Sequence, residues 1–232
     1  MESGRFQGFS AKGLEFLRGL AANNRRAWFE QHRETYERDL LEPARALVGD
    51  LGQSLRQAIP GLVVDPRVNR GLFRIARDTR FSADKTPYKT HLGLWWWEGQ
   101  GPRMEGAGFY FHLEPPNLML AGGMYRFSPA QQAVFRAAAS TPKSGRRLAA
   151  ILTELGKKEY QVGGMHYKRL PRGFSAEALN ADLLRHNGLY AARWEALPAQ
   201  IGGPELVDWC LERYLPLAPL HDWLSAQVRA QD

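Results

Sequence analysis

The spacing of apolar residues changes twice along this chain, and this change restricts its fold more than any other feature. In the first third, apolar residues recur every three to four positions, which is typical of helices. From about residue 90 to residue 125 they alternate, as in strands, and after Ser128 the helical spacing returns. This order predicts an α+β fold, with a mainly antiparallel sheet in the middle of the chain flanked by N- and C-terminal helices.

Capping residues, prolines and glycines set the expected limits of these elements. The expected helices run from Ser10 to Asn23, from Trp28 to Pro60 with a restart at Pro43, from Ser128 to Ala139, from Gly145 to Leu155, from Ser175 to His186, from Pro204 to Tyr214 and from Pro219 to Val228. The expected strands are Leu72 to Ala76, His91 to Trp97, Gly108 to Leu113 and Leu118 to Tyr125, the last two forming a hairpin.

Length and composition favour one domain over residues 1–232, because 232 residues can bury most of their apolar surface around one core. The single cysteine, Cys210, excludes an internal disulfide and a cysteine-cluster metal site. No apolar run approaches the roughly 18 residues of a membrane span, and residues 1–10 lack the apolar core of a signal peptide. We therefore expect a cytoplasmic protein without membrane contact. The sequence does not indicate an oligomeric state.

Positive charge is concentrated in two segments of a chain whose net charge is +7. Residues 66–91, called the first basic segment below, carry seven Lys and Arg against two Asp. Residues 157–172, the second basic segment, carry five Lys and Arg against one Glu. Clustered cations of this kind predict an anionic partner. Arginine dominates the first half of the first segment, which suits bidentate capture of phosphate or carboxylate groups.

We expect the two segments to bind a small phosphorylated or carboxylated ligand, either as a binding protein or as an enzyme. The candidate ligand-binding residues are Arg74, Arg77, Arg80, Lys85, Lys89, Lys168, Arg169 and Arg172. Asp78, Asp84 and Tyr88 are the candidate catalytic residues, which would orient the ligand or transfer a proton. Two alternatives stay open. The same cations and nearby aromatic rings suit a nucleic-acid-binding accessory protein, and Asp78 and Asp84 could instead brace a structural or protein-interaction loop by pairing with arginines.

Other site chemistries receive little support. The sequence lacks the P-loop, the complete Rossmann glycine pattern and the nucleophile elbow of serine hydrolases. Six histidines are dispersed without a metal-binding spacing, so no metal site is predicted, and no particular cofactor is indicated. His91 and His112 are interpreted as packing residues, with a general-base role as the alternative. Trp95, Trp96 and Trp97 are interpreted as core residues rather than as a stacking platform.

The first basic segment carries a recognisable pattern from Phe73 to Thr90, which reads FRIARDTRFSADKTPYKT. This pattern resembles the signature of a bacterial and fungal family catalogued as domain of unknown function 2461. Asn23-Asn24, Trp28-Phe29 and Tyr36 are similar to the N-terminal motif of that family, Gly122 to Tyr125 to its glycine-tyrosine turn, and Lys168 to Phe174 to its second basic motif. The resemblance covers about residues 9–228. It implies that the two basic motifs form one recurring unit, and it implies no particular reaction.

Overall fold

A computed structural model of the protein describes residues 4–99, 103–175 and 177–229. Its α-helices are α1 (Ala11–Ala22), α2 (Arg26–Gln31), α3 (Arg33–Thr35), α4 (Glu42–Ala58), α5 (Pro129–Ser140), α6 (Pro142–Lys157), α7 (Leu206–Tyr214) and α8 (Ala218–Arg229). Its strands are β1 (Leu62–Val63), β2 (Leu92–Glu98), β3 (Gly108–Glu114), β4 (Asn117–Met124), β5 (Gln161–Met165) and β6 (His186–Ala196). A π-helical turn, Tyr36–Leu41, joins α3 to α4.

The six strands form one antiparallel sheet in the order β1-β2-β3-β4-β6-β5. At its β5 end, Val162 pairs with Ala191 and Gly163 with Tyr190. The sheet occupies the middle of the chain, and helices occupy the N- and C-terminal regions, so the predicted α+β class is confirmed.

The chain divides into two compact units that interleave along the sequence. The first contains residues 1–96, 110–120 and 194–213, and the second contains residues 97–109, 121–193 and 214–232. The expectation of one domain over residues 1–232 stays a prediction. In the described part of the chain, no helix is both long and apolar enough to cross a membrane.

Local signals placed several elements correctly. Ser10 caps α1, its hydroxyl accepting a hydrogen bond from the Gly13 amide, and the helix ends at Asn23. Pro43 lies in the first turn of α4. Ser128 and Gln131 form a reciprocal capping box at the start of α5.

Two predicted elements are wrong. Leu72 to Ala76 is not a strand, because it makes only isolated bridges, from Leu72 to Val68 and Leu94 and from Ala76 to Tyr88. The helix expected from Ser175 to His186 is absent from the described residues 177–186, which turn and end in a 3-10 helix, Leu183–Arg185. Long-range hydrogen bonds hold this segment in place of a helix, since the Asn180 side chain donates to the carbonyls of Ala139 and Gly145. Strands β1, β5 and β6 were not predicted.

The core of the first unit joins the N-terminal helices to the sheet. Phe16 contacts Trp28, Phe29 and Tyr36 with ring centroids 5.5, 6.0 and 5.7 Å away. Trp96 is fully buried and donates its indole N–H to the Val48 carbonyl at 2.9 Å. All three consecutive tryptophans are at most 4% exposed, which confirms that they are core residues.

The core of the second unit is also aromatic. Phe109 contacts Tyr214 at 5.2 Å, and Phe135 contacts Phe127 at 4.8 Å and Trp223 at 6.0 Å. The first contact joins β3 to the chain around Tyr214, and the last joins α5 to α8. In the first unit, Cys210 is buried, and burial raises the pKa of its thiol, as expected for a small packing residue.

Gly122 and Gly123 lie at the end of strand β4 rather than in a turn, and both are closely packed. A Cβ on Gly122 would lie 3.1 Å from Leu217, and one on Gly123 would lie 2.3 Å from the Leu189 carbonyl oxygen. Gly123 also has a φ of +137°, which side-chain-bearing residues rarely adopt. This pair therefore needs glycine for structural reasons.

We expect Gly123→Ala to lower the free energy of unfolding by about 1 to 3 kcal/mol or more, because it combines backbone strain with a backbone clash. Gly156→Ala is the matched control: it lies in the last turn of α6 with nothing within 4 Å of the added methyl group. That change should raise stability by about 0.5 kcal/mol. Urea unfolding of both variants measures the difference, and equal stabilities would contradict this description of β4.

Candidate functional site

The first basic segment forms a loop that is closed at its base. The Arg77 amide donates to the Pro87 carbonyl and the Lys89 amide to the Ile75 carbonyl, each at 2.8 Å. The isolated bridge between Ala76 and Tyr88 lies between these two hydrogen bonds. Residues 75–89 thus form a short irregular hairpin, whose outer part, residues 78–86, carries Asp78, Arg80, Asp84 and Lys85.

Most cations of this loop are held by the loop itself. Arg77 bonds to the Asp84 carboxylate and to the Thr86 hydroxyl. Arg80 forms a bidentate pair with Asp78 at 2.7 and 3.0 Å. Two lysines donate to main-chain carbonyls, Lys85 to Thr79 at 3.0 Å and Lys89 to Arg74 at 2.8 Å. The bracing by Asp78 and Asp84 that the sequence left open is therefore present.

These contacts also set the charge of the two carboxylates. Hydrogen bonds from the Arg80 side chain and main chain lower the pKa of Asp78 to about 2. Hydrogen bonds from the Thr86 amide and from Arg77 lower the pKa of Asp84 to about 2. Both groups are ionised near pH 7 and accept protons poorly there, which favours the orienting role over proton transfer.

One side chain fastens this loop to the N-terminal helices. Asn24, between α1 and α2, donates its amide N–H to the Tyr88 carbonyl at 2.8 Å and accepts from the Tyr88 amide at 3.0 Å. The Tyr88 ring stacks on Phe29 of α2, with centroids 4.3 Å apart and planes 16° apart. A side-chain amide can satisfy a backbone N–H and C=O together, which explains asparagine at this position.

The loop and α2 enclose a cleft of about 500 Å³ in the first unit. Its aromatic lining is Phe29, Tyr36 and Tyr88, and its cationic lining is Arg26, Arg33, Arg74 and Arg77. Glu30 also lines the cleft and is engaged by Arg33 through hydrogen bonds of 2.8 and 2.9 Å. A volume of this size lies within the usual range for small-ligand sites.

Two arginines of this cleft differ from the rest. Among the residues that the structure describes, the guanidinium groups of Arg26 and Arg74 have no hydrogen-bond partner and no ion pair, and both residues are exposed. The charge of Arg74 has only a small effect on Asp78: it is the smallest of the causes that lower the pKa of that carboxyl group. The cleft therefore presents two uncommitted guanidinium groups beside an aromatic surface.

The predicted site residues separate into three groups. Arg74, Arg77 and Tyr88 line the cleft, whereas Arg80, Lys85 and Lys89 are engaged elsewhere in the loop. Lys168, Arg169 and Arg172 belong to the second unit, where all three are exposed and Lys168 lines a separate hollow of about 750 Å³. A clamp that joins both basic segments stays a prediction.

A second polar cluster adjoins the end of the first basic segment. The His91 ring stacks on His112 at 4.1 Å, and His112 Nε2 lies 3.3 Å from a Glu114 carboxylate oxygen. The Thr90 hydroxyl donates to the other Glu114 oxygen at 2.7 Å. Burial, with the ring of His112 next in importance, lowers the pKa of His91 to about 4, and burial also lowers the pKa of His112.

Sequence reasoning missed Arg26, Asn24 as an anchor, and Glu114. Arg26 escaped notice because it lies outside both basic segments, although it precedes the aromatic residues of α2. Glu114 was assigned to the hairpin turn, but β3 extends to it and places Tyr110, His112 and Glu114 on one face. Extending the alternation by one residue would have found this row.

Fold and site together define an α+β protein with an arginine-lined aromatic cleft beside its N-terminal helices. The chain matches the family described as "Conserved hypothetical protein (DUF2461)" over residues 12–223 and belongs to it, which confirms the resemblance seen in the sequence. Neither the curated proteins nor the solved structures contain a match.

We expect Asn24→Ala to release the base of the basic loop, because the Tyr88 amide and carbonyl both lose their partner. The loss should be about 1 to 3 kcal/mol in urea unfolding. Amide exchange at Tyr88 should accelerate beyond what the global change explains. Asn23→Ala is the control, since the Asn23 side chain donates only to the Gly19 carbonyl within α1. Unchanged protection at Tyr88 in Asn24→Ala would refute the anchor.

Proposed function

We propose that the cleft between α2 and the first basic segment binds a small anionic ligand that carries phosphate or carboxylate groups. The observation that carries this proposal is the pair of arginines, Arg26 and Arg74, which line the cleft without a partner among the described residues. Neighbouring Arg33, Arg77 and Arg80 are all paired with carboxylates. Planar guanidinium groups suit bidentate binding of oxyanions.

The aromatic lining narrows the ligand class further. Phe29 and Tyr88 already stack on each other, and the Arg33 guanidinium lies 5.4 Å over the Phe29 ring. The phenol of Tyr36 stays neutral because burial raises its pKa to about 12. A ligand with a flat or apolar part next to its anionic group would use both kinds of lining, as in a nucleotide or an aromatic carboxylate.

Thermal unfolding against orthophosphate, pyrophosphate, nucleotides, sugar phosphates and dicarboxylates tests this proposal. A ligand at 100 times its dissociation constant adds about 2.7 kcal/mol of stability. For a chain of this size we expect a rise in Tm of roughly 5 to 10 °C. Arg74→Gln and Arg26→Gln should each remove most of that rise, because each deletes one of the free guanidinium groups.

Two control variants make the test specific to the cleft. Arg18→Gln removes the same charge from the exposed surface of α1, outside the cleft lining. Arg80→Ala removes a cation of the loop that pairs with Asp78 outside the lining. Both should keep the ligand-induced rise in Tm. A rise that disappears in Arg80→Ala but survives in Arg74→Gln would move the site from the cleft to the outer loop.

A second candidate function rests on Phe81 at the tip of the same loop. Phe81 is 95% exposed, and the Arg80 guanidinium lies 5.7 Å from its ring. An exposed aromatic ring flanked by cations is a typical stacking element for single-stranded nucleic acid. The braced loop would then hold Phe81 away from the core for this purpose.

Fluorescence anisotropy with a short single-stranded oligonucleotide separates the two candidates. If the loop binds nucleic acid, Phe81→Ala should weaken binding about 5- to 150-fold, corresponding to about 1 to 3 kcal/mol for one stacked base. Affinity should also fall steeply with rising salt. Arg26→Gln, which alters the cleft lining and no residue of the loop, is the control. If Phe81→Ala binds the oligonucleotide as tightly as the unchanged chain does, this candidate function is wrong and the small-ligand cleft stays as the proposal.

A further inference from the structure

We propose that His91, His112 and Glu114 form a binding site for one divalent first-row transition-metal ion. Each of these residues offers one ligand atom, and the three atoms lie within 4.8 Å of one another. His91 immediately precedes β2, and the other two lie two residues apart on β3, the neighbouring strand of the sheet. This proposal does not rest on the function proposed for the anion cleft.

The donor set determines the class of metal. Two imidazole nitrogens and one carboxylate oxygen suit Zn²⁺, Fe²⁺, Co²⁺ or Mn²⁺ and are a poor match for Ca²⁺ or Mg²⁺, which prefer oxygen ligands. Three protein ligands leave positions open for water or a further ligand, as in reactive rather than purely structural metal sites.

Groups around the cluster orient the ligands as a metal site requires. The Tyr110 hydroxyl lies 3.1 Å from His112 Nδ1, so Nε2 of the same ring is the nitrogen that faces Glu114. The Thr90 hydroxyl occupies one Glu114 oxygen and leaves the other directed at His112. Partners of this kind outside the ligand shell fix ring orientation and ligand basicity in metal sites.

His112 is the buried member of the cluster. His112 is 9% exposed, and the Trp194 ring contacts it edge-on at 5.3 Å. Each imidazole ring offers one nitrogen as a ligand atom to the ion. An ion between His112 Nε2 and the Glu114 carboxylate would replace the hydrogen bond that now joins them.

Binding requires a modest rearrangement. Ligand atoms about 2.1 Å from one ion are at most about 4.2 Å apart, so atoms at the 4.8 Å limit of the cluster must approach by at least about 0.6 Å. The His91 and His112 planes differ by 27°, and His91 must turn away from this stack to direct its nitrogen at the ion. A side-chain rotation supplies that movement, since His91 sits at the start of its strand rather than within it.

Equilibrium dialysis of the metal-stripped full chain against Zn²⁺ alone, and against Co²⁺ alone with its absorption spectrum, tests the site. We expect one ion per chain and a Co²⁺ spectrum typical of nitrogen and oxygen ligands. His112→Ala and the isosteric Glu114→Gln should each weaken binding about 10-fold or more. Tyr110→Phe, which removes only the orienting hydroxyl group, should weaken it about 10-fold or somewhat less.

His166→Ala is the matched control, because His166 is an exposed histidine of the second unit outside this cluster. It should bind the ion as the unchanged chain does. Circular dichroism of each metal-free variant checks that the variant folds. If His112→Ala does not fold, the metal binding of Glu114→Gln decides the test. Failure of the unchanged chain to bind a stoichiometric ion overturns the site, as does undiminished binding by Glu114→Gln and His112→Ala.

Discussion

The paired hydrogen bonds between Asn24 and the Tyr88 main chain are the interaction on which the candidate site depends. They join two parts of the chain that are 64 residues apart, the junction of α1 with α2 and the base of the basic loop. Without a strand to satisfy its backbone, an irregular loop needs such partners to keep one conformation. The stack of Tyr88 on Phe29 adds apolar contact at the same place. The cleft exists because this junction holds the loop beside α2.

Ion pairs within the loop offset the repulsion between its many cations. Like charges at this density repel one another, and Asp78 and Asp84 offset that repulsion through their pairs with Arg80 and Arg77. Exposed pairs of this kind contribute little to global stability, so their effect is to define loop geometry rather than to stabilise the fold. Bracing is therefore compatible with the proposed binding: the paired cations shape the loop, whereas Arg26 and Arg74 line the cleft without a partner among the described residues.

The sequence predicted those elements that depend on interactions between residues close together in the chain. Helices α1 and α5 were placed by Ser10 and Ser128, whose capping bonds lie within three residues. Strand β3 was placed by its alternating Phe109, Phe111 and Leu113. In contrast, β5 and β6 contain Gly163, Gly164 and Gly188, which have low strand propensity, so their pairing depends on tertiary packing that sequence patterns do not show. A Cβ on Gly163 would meet the Tyr190 ring at 2.3 Å, which is such a long-range requirement.

For the candidate site, the clustering of charged residues predicted where the loop lies, but not which of its cations line the cleft and which form ion pairs. Counting charges treats Arg74 and Arg80 alike, whereas one lines the cleft and the other pairs with Asp78.

The last residues of the first basic segment connect the cleft to the histidine cluster. Tyr88 lines the cleft, Lys89 bonds back to Arg74, and Thr90 and His91 belong to the cluster with Glu114. Four consecutive residues thus serve in turn the cleft, the contact that closes the loop and the histidine cluster. A shift of one residue here would therefore displace residues of both sites at once. The Asn24 anchor fixes that register directly at Tyr88, so the same two hydrogen bonds position the cleft and the histidine cluster.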